Sequence, residues 1–114
     1  MTLQEREARA CAIIDSMAQE LRAVSLYLHD NPELGLNEHK AVKAIHQFLE
    51  KQNFISQVGL TDIRELQTAL RADYRGNAKY KIAFLGEYDA LPELGHGCGH
   101  NLIAMMSLGA AVDF

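Results

Sequence analysis

The chain has 114 residues, 48% of them hydrophobic and 23% charged, with a formal net charge of -4. That balance belongs to one ordinary globular domain and excludes a disordered tail. No cluster of Lys or Arg offers a field to nucleic acid or an anionic membrane, and no apolar run approaches the roughly 20 residues that span a bilayer, so neither is expected as a partner.

The first residues carry Glu5 and Glu7 rather than the basic end and apolar run of a secretory signal, so a cytoplasmic protein is expected. In that reducing compartment Cys11 and Cys98 are expected to stay unpaired. From Leu3 to Leu28 the residues Ile13, Ile14, Met17, Leu21, Val24 and Leu28 recur at steps of three and four, which predicts an amphipathic helix with one buried stripe. Asp30-Asn31-Pro32-Glu33-Leu34-Gly35 predicts a turn, because proline cannot continue the helix. A second helix follows, with Asn37 as its expected N-cap and Ala41, Val42, Ile45, Phe48 and Leu49 as its apolar face, fraying near Lys51 to Asn53.

Phe54 to Leu60 and Thr68 to Tyr74 read as strands. Arg75-Gly76-Asn77 reads as a hairpin turn into Tyr80 to Gly86, whose continuous apolar run predicts a central strand buried on both faces of an α/β sheet. Leu102 to Val112 is apolar nearly all round and predicts a helix covered on several sides. No repeat or linker divides residues 1–114, which read as part of one domain. The close on Gly109-Ala110-Ala111-Val112-Asp113-Phe114, without a polar tail, reads as a truncation.

Chemistry concentrates between the expected central strand and the last helix, in Glu87-Tyr88-Asp89-Ala90-Leu91-Pro92-Glu93-Leu94-Gly95-His96-Gly97-Cys98-Gly99-His100-Asn101. Open α/β sheets place ligand chemistry at this edge. A thiolate at Cys98 and an imidazole at His100 are both good ligands for Zn, Mn, Co or Ni, and the glycine between them permits a bend that aims both inward. Cys98 would also stand near a helix N-terminus, whose positive end favours the ligating thiolate. His96 can be a further ligand or a donor behind one, and Glu87 and Asp89 can orient an imidazole through its far nitrogen.

Taken singly, each feature has an ordinary explanation: a core cysteine, a solvated histidine pair, a polar loop start. Their density in one glycine-spaced loop favours the metal reading. Cys98 as a nucleophile with His96 or His100 as its base ranks below it, because catalytic Cys and His usually come from distant positions. A closed structural zinc site ranks lower still, for want of paired C-x-x-C spacing. In the earlier turn, His29 is most simply a cation near a helix C-terminus.

Three motifs in order, Leu28-His29-Asp30-Asn31-Pro32-Glu33-Leu34-Gly35 with Glu38, Gly86-Glu87-Tyr88-Asp89-Ala90-Leu91-Pro92, and His96-Gly97-Cys98-Gly99-His100-Asn101, together with the Leu108-Gly109-Ala110-Ala111 helix, resemble the zinc-peptidase-like amidohydrolases. That family includes aminoacylases and hippurate and auxin-conjugate hydrolases, and the forms here look closest to the branch with p-aminobenzoyl-glutamate hydrolase and related dipeptidases. The resemblance implies the N-terminal portion of an α/β catalytic domain, with helices on a partial mixed sheet, a two-metal centre of zinc or manganese, and a lid domain inserted later that usually mediates homodimerisation. It implies Cys98 and His100 as metal ligands and Glu87 as the catalytic-site acid that supports a ligand, with His96, Asp89 and Asn101 around them. Many relatives carry Asp at the positions of Glu87 and Asn101, which leaves the ligand pair intact.

The expected reaction of the parent protein is hydrolysis of the amide in an N-acyl amino acid or dipeptide-like small molecule. The family's glutamate pair and remaining ligands lie beyond Phe114, so the chain alone is expected to be inactive. The competing expectation is a non-catalytic α/β fragment that self-associates through its last helix and at most binds metal.

Overall fold

A computed structural model describes residues 1–61, 65–74 and 76–114. Helix α1 spans Leu3–Ser16, α2 Ala18–Asp30 and α3 His39–Lys51; strands β1 (Ile55–Leu60) and β2 (Leu66–Asp73) follow, then helix α4 (His100–Asp113). None of these helices is long and apolar enough to cross a membrane.

The first predicted helix is in fact two. Met17, at φ -102° and ψ 3°, ends α1 and opens α2, and the Ser16 hydroxyl donates back to the Ile13 carbonyl. Such side-chain bonding competes with the helical ladder. The Thr2 and Glu5 capping box starts α1, so the chain's acidic beginning is helical stabilisation. Only beyond the break does the stripe bury Met17, Leu21 and Leu28.

Helix α3 buries the predicted Ala41, Val42, Ile45, Phe48 and Leu49. Its cap is not Asn37. Glu38 occupies the N-cap position without a side-chain capping bond, and the orphan amides are taken from a distance: the Glu33 carboxylate accepts from the N–H of Lys40 at 3.0 Å and of Ala41 at 2.8 Å. A carboxylate there also suits the positive end of the helix dipole.

Strands β1 and β2 pair antiparallel, Ile55 opposite Asp73 and Val58 opposite Leu70, with an irregularity between Val58 and Leu60. The α/β class stands, but the sheet is a two-stranded antiparallel one, and the parallel sense appears separately in an isolated bridge between Leu34 and Ala90. Arg75 of the predicted hairpin turn lies outside the described residues.

The expected central strand is absent. Tyr80 to Gly86 forms no ladder, and Tyr80, Ile82, Phe84 and Leu85 are exposed. A strand exists only through its pairing, and no described residue offers this segment a backbone partner. Helix α4 also departs from expectation. It begins at His100 and buries Asn101, Ala104, Met105, Leu108 and Gly109 on one face, against α2 and α1, while Leu102 and Met106 stay exposed. Its all-round apolar sequence therefore has a covered face and an open one.

Candidate metal site at the start of α4

The loop into α4 is built by alternation. Tyr88 turns inward, and its hydroxyl donates to the Thr68 carbonyl on β2. Behind it the Thr68 hydroxyl donates to Glu38 at 2.7 Å, with Thr68 and Glu38 both buried. Burial, and secondarily the Glu38 charge, push the Tyr88 phenol up to about 12. A raised folded-state value means stability that is complete below the ordinary phenol value of about 10 and is lost as pH climbs from there towards 12. The ring is only partly covered, so screening keeps the effect well under the about 2.7 kcal/mol that two units would imply. Tyr88→Phe is expected to lose about 1 kcal/mol at neutral pH and to lack the alkaline decline, read as urea midpoints at neutral pH and near pH 11. A parallel alkaline decline in both proteins would refute this anchor.

Beyond Tyr88 the loop is tied to the turn after α2. The Ala90 N–H donates to the Glu33 carbonyl at 2.7 Å, and Leu91 and Gly95 exchange backbone bonds of 2.8 and 3.1 Å. A Cβ at Gly35 would stand 3.8 Å from an Asp89 carboxylate oxygen and 3.9 Å from one of Glu38. The Pro32-Glu33-Leu34-Gly35 motif thus serves the loop twice: the Glu33 backbone holds Ala90 while its side chain caps α3. The sequence marks it only as a turn.

His100 opens α4 behind Gly99, the N-cap residue at φ 77°, a conformation glycine adopts without a Cβ penalty. Its Nδ1 lies 2.8 Å from Asp89 Oδ1 and 3.1 Å from the Asp89 carbonyl. With Nδ1–H donating to these oxygens, Nε2 carries the lone pair, and it has no hydrogen-bond partner among the described residues. The acid in contact with the imidazole is Asp89, not Glu87, which is exposed. Cys98 is exposed with a free thiol, as is Cys11.

His96 is half-buried, and its Nδ1 is buried without a hydrogen-bond partner. Burial holds its pKa below the ordinary imidazole value, helped by the charges of His100 and His29 and opposed by the Leu28 backbone and by Asp89. Asn101 faces away, its amide donating to the Ser25 hydroxyl at 3.2 Å across α2. Neither imidazole hydrogen-bonds the Cys98 thiol, so the structure gives the nucleophile reading no support. Among the described residues no group of three or more His, Cys, Asp or Glu is gathered closely enough to hold a metal ion.

No family model matches the chain. Individual proteins do. It is 38% identical to the Xaa-Arg dipeptidase of Mus musculus over 96% of its own length and 27% of the dipeptidase. It is 35% identical to the N-acetyldiaminopimelate deacetylase of Oenococcus oeni over 80% of the chain and 28% of that enzyme. It is also 28% identical to one component of the p-aminobenzoyl-glutamate hydrolase of Escherichia coli, over 87% of the chain and 23% of that component. The chain belongs to this peptidase and amidohydrolase family. It spans about a quarter of the length of these relatives. By name they are hydrolases of amide bonds, each with a different substrate, and two carry the names, a dipeptidase and a p-aminobenzoyl-glutamate hydrolase, that the Glu-Tyr-Asp-Ala-Leu-Pro and Gly-Cys-Gly-His-Asn motifs resemble.

Proposed function

We propose that this chain supplies one side of a divalent-metal site in a catalytic domain that hydrolyses the amide of N-acyl amino acids or dipeptide-like substrates. The observation that carries this reading is the Asp89 to His100 contact at 2.8 Å, which occupies Nδ1 and leaves Nε2 as the lone-pair nitrogen at a helix start two residues from an exposed thiol. Orienting a ligand imidazole through a carboxylate on its other nitrogen is how such ligands are held. The Nδ1 of His96, buried and without a hydrogen-bond partner on an imidazole whose pKa burial lowers, is a second nitrogen facing the same loop.

The donor set fits part of a coordination shell. Cys98 and His100 would hold the ion, zinc or manganese, with His96 a further ligand or a neighbour. Asp89 positions His100, and Glu87 tunes the local charge. The bound ion would supply polarisation of the amide carbonyl and activation of water. Residues 1–114 act as one portion of that domain, in the cytoplasm, and do not turn over substrate by themselves.

Isothermal titration of the chain with zinc and with manganese tests the site. Binding is expected, weakened about 10- to 100-fold by Asp89→Asn and abolished by His100→Ala with Cys98→Ser. Asp89→Asn is a positioning change, so it should also shift the His100 imidazole resonances before metal is added. Unaltered affinity in the Cys98 and His100 variants would sink the reading. Turnover of N-acyl amino acids by the metal-loaded chain at ordinary enzyme rates would sink its claim of inactivity. A second reading, a non-catalytic chain that self-associates, draws on the exposed Leu102 and Met106 of α4.

A further inference from the structure

We propose that Ser56 carries an activated hydroxyl that takes an acyl group from an activated ester, with His46 as its base and Glu50 holding the imidazole. None of the three belongs to the loop before α4, so this proposal and the metal site can fail separately.

Local folding brings the three side chains together. Helix α3 stops at Lys51, and Asn53, at φ 65°, turns the chain back in a conformation that asparagine tolerates better than most residues. The Phe54 N–H then donates to the Leu49 carbonyl at 3.0 Å, and its side chain packs against the apolar core. The start of β1 is thereby pinned to the last turns of α3. Side chains alternate along an extended chain, so Ser56 shares the inner side of Phe54, while Ile55 and Gln57 are exposed. From α3, His46 Nδ1 lies 2.8 Å from the Ser56 hydroxyl oxygen. One turn further along the helix, a Glu50 carboxylate oxygen lies 3.1 Å from His46 Nε2.

The donor and acceptor inventory fixes the direction of these bonds. A carboxylate only accepts, so the Nε2 beside it carries the hydrogen. The neutral imidazole then has its lone pair on Nδ1, and the Ser56 hydroxyl must be the donor. A tie between α3 and β1 would be served equally by the other tautomer, with Nδ1–H donating to the hydroxyl. Glu50 selects the arrangement in which a hydroxyl proton points at a base. A nucleophile within reach of a base that a third group orients is the signature of an activated serine. The group is also open to a small reagent, with the His46 side chain 26% exposed, Glu50 exposed and Ser56 half-buried.

In the transfer, the Ser56 oxygen bonds to the acyl carbon while its proton passes to His46 Nδ1, and the imidazolium so formed lies against the Glu50 carboxylate. The bond from the acyl carbon to the leaving oxygen breaks, and His46 gives the proton to that oxygen. The products are O-acyl Ser56 and the free alcohol.

Treating the chain with p-nitrophenyl acetate and locating the acetyl groups by peptide mass spectrometry tests this. Ser16 is the internal reference, an exposed hydroxyl bonded to the Ile13 carbonyl rather than to a base. Ser56 is expected to be acetylated about 100-fold faster than Ser16, the lower end of what a positioned base contributes. His46→Gln should bring Ser56 down to the Ser16 rate. Glu50→Ala keeps both the hydroxyl and the imidazole, and should slow the acetylation while moving the imidazole nitrogen resonances from the Nε2–H tautomer towards a mixture. A Ser56 rate equal to that of Ser16 would overturn the proposal, and this ratio is read in the unsubstituted chain, whatever the folding of a variant. A fast Ser56 indifferent to His46→Gln in a folded variant would also overturn it, as would a tautomer and rate unchanged by Glu50→Ala.

Discussion

Leu28→Ala is expected to lower the stability of the chain by about 2–5 kcal/mol, a large part of the about 5–15 kcal/mol that holds a domain folded. Leu28 is 1% exposed, at the end of α2, in the apolar cluster that joins α2, α3 and α4 through Leu21, Ile45, Phe48, Ala104 and Met105. Removing its branched end leaves a cavity where three helices meet, and none can close in without disturbing the others. The control lies two residues back. Leu26 is half exposed on the same helix, so Leu26→Ala should cost within about 0.5 kcal/mol. Urea midpoints at an unchanged slope measure both, and equal losses would show that α2 is not packed on the stripe described here.

Much of this packing is visible in the sequence because it depends on period. The apolar residues of α3 recur so regularly that every one named from spacing is buried. The strands that pair with each other are found within a residue or two, because their partner is local. What spacing cannot show is where partners come from. Tyr80 to Gly86 has the composition of a buried strand, yet composition supplies no ladder, and none of the described residues provides one. Similarly, Asn37 looks like a cap by type, whereas the α3 amides go to Glu33, a choice made by the path of the Pro32 turn.

The candidate site divides the same way. That the loop from Glu87 to Asn101 carries the chemistry is legible from its density of His, Cys and acids. Which acid meets which imidazole is not, because that depends on the inward turn of Tyr88, whose hydroxyl donates to the Thr68 carbonyl on β2.

Asn101 carries the second large prediction. It is 8% exposed in the first turn of α4, and its amide donates to the Ser25 hydroxyl and, at a longer 3.4 Å, to the Ser25 carbonyl, tying the start of α4 to the middle of α2. In Asn101→Asp that donor becomes a carboxylate oxygen facing a carbonyl oxygen. An unmet buried acceptor costs about 1–3 kcal/mol, and more when charged. The helix dipole returns about 0.3–1 kcal/mol to a carboxylate in this turn, and the Ser25 hydroxyl can rotate to donate. The net expectation is a loss near 2 kcal/mol at neutral pH. Burial against the Ser25 carbonyl raises the folded-state value of such a carboxyl. Its stability is therefore present below the unfolded value of about 3.9 and lost as pH rises through the higher folded one, so the deficit should shrink on acidification. Asn101→Ala has no titrating group and should keep its deficit throughout. Urea titrations of both variants across this range decide the matter: an Asp variant that is unaffected at neutral pH, or that follows the alanine variant at every pH, would mean that the Ser25 contact does not hold α4 in place.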